Sequence, residues 1–238
     1  MATALSVCLG IFMVAMCAAA SLKDPSSRCP ADIVFAVDQS TSVTNTSYWN
    51  LVVPFMVNLT NELDVGTRDD HIAFVPFSSP HLTSVAFRLN YSFDRSRVIE
   101  ALQQEPYTGG STSTAKALTL VKDEVFNETN GARTSSYGKT VAPLVLIITD
   151  GIATDGDPSV PAAELRQDGK TIFAVGVGQL VDLDELAKIT GDPSSVFYVS
   201  EFADLGQALI ESILASTTCE ELKIKKLSTK IRVEKIVI

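Results

Sequence analysis

Six apolar runs of strand length punctuate the chain: DIVFAVD (Asp32 to Asp38), HIAFVPFS (His71 to Ser78), TSVAFRL (Thr83 to Leu89), PLVLIITD (Pro143 to Asp150), KTIFAVGVG (Lys170 to Gly178) and SVFYVS (Ser195 to Ser200). Several are continuous rather than alternating, the signature of strands covered on both faces. Helical spacing lies between most of them. Trp49, Val52, Val53 and Met56 share one face, Ala117, Leu118, Val121 and Val125 a second, and Leu205, Ala208, Leu209 and Leu214 a third. Strand and helix therefore alternate, which predicts an α/β fold: a doubly wound, mostly parallel sheet with helices on both faces, joined by right-handed crossovers. The run Thr83 to Leu89 follows its predecessor after a short turn containing Pro80, so it is expected as one antiparallel edge strand. Two prolines strain this reading. Pro76 is tolerated in a strand only near an edge or bulge, and Pro54 requires the first helix to start late or to kink.

The 238 residues are 46% hydrophobic, ample for a buried core, and carry a formal net charge of -9. That charge argues against nucleic acid as a partner, because phosphate binding wants a basic face. Cations or basic surfaces fit better. The tail from Leu222 is the exception, with six Lys or Arg and one Glu. It lies outside the alternation and reads as an amphipathic strand, the start of a further domain, a disordered arm or a solvated basic extension. The expected organisation is a signal peptide over 1–20, a short segment over 21–30, one domain over 31–218 and the basic tail over 219–238.

Residues 1–20, MATALSVCLGIFMVAMCAAA, are uncharged, apolar and end in small residues. They read as a secretory signal cut near Ala20, with a membrane anchor as the alternative, and no transmembrane segment is expected in the mature chain. Removing them takes away Cys8 and Cys17 and leaves Cys29 and Cys219 flanking the predicted domain. In an oxidising compartment these two are expected to pair, the alternative being two unrelated thiols; closing so long a loop adds about 5 kcal/mol on the chain-entropy model. Four Asn-x-Ser/Thr sequons, at Asn45, Asn58, Asn90 and Asn127, agree with a secreted surface.

In a doubly wound sheet ligands bind at the carboxyl ends of the strands. The loops predicted there are rich in oxygen donors. Asp38, Ser40 and Ser42 form D-x-S-x-S after the first strand, Asp150 and Gly151 follow PLVLIIT, and YTGGSTSTAKAL (Tyr107 to Leu118) precedes a helix. All-oxygen donors without His or Cys suit a hard cation such as Mg2+ or Mn2+, and zinc is disfavoured. For Ser40, Ser42 or Thr112 taken alone, a helix cap or turn is the ordinary explanation; their ordered set is not explained so simply. Gly109 and Gly110 read as turn residues and Thr114 as a loop support. YGKT (Tyr137 to Thr140) fails as a phosphate loop, since Arg133 stands at the first glycine and a strand follows. His71 and His81 read as ordinary surface or turn residues.

In order, D-x-S-x-S, G-G-x-T-x-T, T-D-G and IFAVGVG over about Ala31 to Ser216 resemble the von Willebrand factor type A domain, also called the integrin I-like domain. The resemblance implies a metal ion-dependent adhesion site built from Asp38, Ser40, Ser42, Thr112 and Asp150, with the hydroxyls binding directly and the aspartates often through water. Neutral hydroxyls leave most of the ion's charge available for a partner's carboxylate. The function implied is that of a secreted, non-enzymatic adhesion or extracellular-matrix protein that binds a protein ligand through an acidic residue. Collagen-like fibres, another matrix glycoprotein or an acidic mineral-associated protein all fit. The alternatives are a metal-dependent hydrolase or phosphotransferase, against which D-x-S-x-S lacks the second aspartate of the haloacid dehalogenase-like D-x-D, and a purely structural matrix component.

Overall fold

The computed structural model describes residues 28–41, 46–136, 138–178, 180–199, 210–211 and 214–215, with residues 46–48 and 139 described by their backbone alone. The expected signal segment, Ser42, Asn45, Tyr137, Cys219, the basic tail and most of the third helical face lie outside these residues.

Five parallel strands form one sheet in the order β2-β1-β5-β6-β7: β1 (Ala31–Asp38), β2 (His71–Phe77), β5 (Ala142–Thr149), β6 (Thr171–Val177) and β7 (Val196–Val199). A two-residue pair, β3 (Ser135–Ser136) and β4 (Lys139–Thr140), stands apart. β1 is buried at every position because it has a strand on each side and helices on each face. Its side chains alternate between two cores, as strand geometry requires. Ile33, Phe35 and Val37 pack with Trp49, Val52, Met56 and Leu59 of α1 (Thr46–Glu62) and with Val98 and Leu102 of α2 (Arg95–Gln104). Val34 and Ala36 join the other core, with α3 (Thr114–Leu120), α4 (Ser159–Gln167) and α5 (Leu183–Thr190). A π turn, Val121–Val125, continues α3.

Three expectations change. The run Thr83 to Leu89 does not form a strand; it meets the sheet at one antiparallel bridge between Phe74 and Phe87. The Phe74 N–H donates to the Phe87 carbonyl at 2.9 Å, so Phe74 presents its backbone to that edge. Two residues on, Pro76 faces the same edge without an N–H, and the ladder stops. Pro54 lies inside α1 rather than delaying it: the helix begins at Thr46, and Pro54 sits at an exposed position. His71 is not a surface residue. It opens β2, is 5% exposed, and its ring lies 4.7 Å from that of Phe93.

The sheet fixes where a ligand can sit. From β1 the chain first adds β2 on one side and later β5 on the other, so strand order reverses between β1 and β5. The crevice of such a sheet opens at that reversal, beyond the carboxyl ends of the two strands.

Candidate metal centre

β1 ends in Asp38 and β5 runs beside it into Thr149 and Asp150, with Val37 paired to Ile148. Asp38 is fully buried, and both of its oxygens are engaged: Oδ1 accepts from the Ser40 N–H at 2.8 Å and Oδ2 from the Thr149 hydroxyl at 2.6 Å. Its pKa is pushed up to about 7, chiefly by burial and further by the Asp150 carboxylate, against the pull of the Thr149 and Ser40 hydrogen bonds. Both carboxylates also raise the Tyr107 phenol, after burial.

The loop between α2 and α3 closes over these ends. Thr41 donates to the Gly110 carbonyl from both its N–H, at 2.8 Å, and its hydroxyl, at 2.9 Å. The Tyr107 hydroxyl donates to the Ser40 carbonyl at 2.9 Å. Gln39 spans three segments: its N–H donates to the Phe77 carbonyl at 2.7 Å, its amide to the Pro106 carbonyl at 3.0 Å, and its Oε1 accepts from Thr108 at 2.9 Å. The Ser113 N–H reaches the Ser78 carbonyl at 2.9 Å. Thr112, between these contacts, is buried. Gly110 does more than turn the chain. At φ 116° any Cβ would lie 2.5 Å from Ser79 Oγ and 3.1 Å from the Ser79 backbone nitrogen.

A third group of contacts joins Thr112 to the loop after Asp150. The Thr154 N–H donates to the Thr112 carbonyl at 2.8 Å, the Thr154 hydroxyl donates to the same carbonyl at 3.0 Å, and the Thr112 N–H donates back to that hydroxyl at 3.2 Å. Asp155 accepts from the Ala115 and Lys116 N–H groups at 3.1 and 2.8 Å.

Asp38, the last residue of β1, thus lies at the carboxyl edge of the sheet with Ser40, Thr112 and Asp150 on the loops there; Ser42 is outside the described residues. Thr114 is buried at the start of α3. Sequence reasoning missed Gln39, Tyr107, Thr149, Thr154 and Asp155 as supports of these loops. Thr149 alone carried a signal, as the first residue of T-D-G. No group of three or more His, Cys, Asp or Glu side chains suited to a metal occurs among the described residues. A cation here would rest on two carboxylates and neutral hydroxyls, which fits a hard ion.

Elsewhere, Cys29 is buried and disulfide-bonded, its partner lying outside the described residues. Asn58, Asn90 and Asn127 are all exposed. The Asn127 Oδ1 accepts from the Thr129 N–H and hydroxyl at 3.0 and 2.8 Å. No helix among the described residues is long and apolar enough to cross a membrane.

The von Willebrand factor type A domain matches residues 32–211. The collagen alpha-4(VI) chain of Mus musculus is 32% identical over 206 residues, covering 86% of this chain and 9% of its own length. Matrilin-3 of Gallus gallus is 32% identical over 195 residues, covering 80% and 42%. The chain therefore spans less than half of either relative. Proximal thread matrix protein 1 from the mussel byssus, solved with a zinc-occupied MIDAS motif, has the same fold, with a TM-score of 0.71 at 24% identity over 81% of this chain and 48% of that one.

Proposed function

The chain belongs to the von Willebrand factor type A domain family, and from that membership we propose that it is a secreted, non-enzymatic extracellular-matrix adhesion protein. In this reading Asp38, Ser40, Ser42, Thr112 and Asp150 hold Mg2+ or Mn2+, and the ion takes a partner's carboxylate as its last ligand. One observation carries the metal. Three aspartates are buried among the described residues, Asp32, Asp38 and Asp70. Asp32 is paired with Arg133 at 2.7 Å and Asp70 with Arg28 at 2.9 Å. Asp38 has a backbone amide, a hydroxyl and, nearby, a second carboxylate. A buried carboxylate beside another is costly without positive charge, and a cation supplies it.

The zinc in the mussel protein supports a divalent ion. The oxygen-only donors of this chain favour Mg2+ or Mn2+, since zinc prefers nitrogen and sulfur ligands. The collagen and matrilin relatives support a matrix partner, either collagen or another matrix glycoprotein. As for an enzyme, D-x-S-x-S lacks the second aspartate of a haloacid dehalogenase-like D-x-D motif.

The test is binding of the folded protein to immobilised collagen VI and to fractionated matrix glycoproteins, in Mg2+ and in chelator. Binding should appear with Mg2+, vanish with chelator, and be lost in Asp38→Ala and Asp150→Ala. Undiminished binding in chelator would move the contact to another surface.

A further inference from the structure

α3 starts without a cap of its own. Its N-cap residue, Ser113, makes no side-chain capping bond. The first-turn amides of Ala115 and Lys116 are instead held by the two oxygens of Asp155, which arrives from the loop after β5. Thr154 adds the three hydrogen bonds to the Thr112 backbone. Thr112 and Asp150 come from distant parts of the chain, and these contacts fasten one segment to the other only four and five residues beyond Asp150. Both Asp155 oxygens accept from backbone amides, which assigns this side chain to holding the helix start.

We propose that Thr154 and Asp155 are positioning residues of the metal centre, a latch that ties the Thr112 segment and the start of α3 to the loop carrying Asp150 and so fixes the spacing of the two donors. This rests on the metal-site reading above. A metal ligand that is not held by its outer partners binds less tightly, and loss of such a partner commonly weakens metal affinity about 10- to 100-fold. Thr154→Val removes the hydroxyl that both donates to and accepts from Thr112. Asp155→Asn keeps the shape but replaces one acceptor oxygen with an NH2 group. Thr154→Ser keeps the hydroxyl.

The probe is Mn2+ alone, titrated by calorimetry, with amide hydrogen exchange recorded on the metal-free proteins. Wild type should bind Mn2+, Thr154→Val and Asp155→Asn should bind about 10-fold more weakly, and Thr154→Ser should bind close to wild type. In metal-free Asp155→Asn, exchange should quicken at Ala115 and Lys116 while the β1 amides stay protected. Should Asp155→Asn fail to fold, Thr154→Val and its serine counterpart carry the comparison. Unchanged Mn2+ affinity in the folded variants overturns the latch, as does a loss of affinity that tracks loss of β1 protection. Absence of Mn2+ binding to folded wild type overturns the metal-site reading and the latch with it.

Discussion

At the scale of single residues, the interior is arranged by how each buried charge is answered. Arg133 meets Asp32 through its N–H at 2.6 Å, Nε at 2.9 Å and Nη2 at 2.7 Å. Even so, burial outweighs the arginines and raises the pKa of both Asp32 and Asp70. His71 Nδ1 stands 3.9 Å from Asp32 Oδ1, too far for a hydrogen bond, and neither ring nitrogen has a partner of good geometry among the described residues. Burial, reinforced by Arg133, lowers its pKa from 6.5 to about 4. Unfolded, His71 takes up a proton near pH 6.5; folded, it resists until about pH 4. Its contribution to stability is therefore present above pH 6.5 and is lost as the pH falls through that window. Asp32 and Asp70 act in the opposite sense, since the folded state protonates them first. A comparison with His71→Phe isolates the histidine. Acidification from pH 7 to pH 5 should cost wild type about 2 kcal/mol more than the variant in urea denaturation. An equal loss in both would show that His71 protonates as readily folded as unfolded.

At the scale of elements, the strands were legible because continuous apolar runs define them; each of the five parallel strands lies within a residue or two of its expected span. The helices were less so. α2 buries only Val98 and Leu102, too few positions for periodicity to stand out. The edge strand expected at Thr83 to Leu89 is reduced to a single bridge at Phe87, because Pro76 offers that edge no N–H, a matter of which edge a proline faces. The site divides the same way. D-x-S-x-S is compact in sequence and could be read directly, whereas the latch joins residues some 40 apart and leaves no local pattern. Gly110 illustrates the hidden part. Gly110→Ala forces a Cβ into Ser79 at a positive φ, whereas Gly138→Ala, at φ 80°, meets nothing within 4 Å. Strain of this kind costs about 1–3 kcal/mol. Gly110→Ala should therefore destabilise more than Gly138→Ala and also weaken Mn2+ binding, because it pushes the Thr112 segment off the end of β2. Equal destabilisation with Mn2+ binding intact would show that the loop does not depend on that close approach.

At the scale of the whole molecule, the two ends of the sheet have different tasks. The carboxyl ends gather the oxygen donors. The amino ends gather the arginine-paired aspartates and, just before β1, the disulfide-bonded Cys29. The proposed pairing of Cys29 with Cys219 would close the chain on the side away from the ion, bracing the domain without constraining ligand access. Peptide mapping of the secreted, non-reduced protein should recover these two cysteines linked; Cys29 linked to any other thiol, or Cys219 free, would refute it. The proposed metal centre requires a cation to bind where strand order reverses between β1 and β5. Anomalous scattering from crystals grown with Mn2+ tests it most directly. One peak is expected at the carboxyl ends of these strands, coordinated by the hydroxyls of Ser40, Ser42 and Thr112 and flanked by Asp38 and Asp150. No peak there in Mn2+-saturated crystals, or a peak held by other residues, would contradict it.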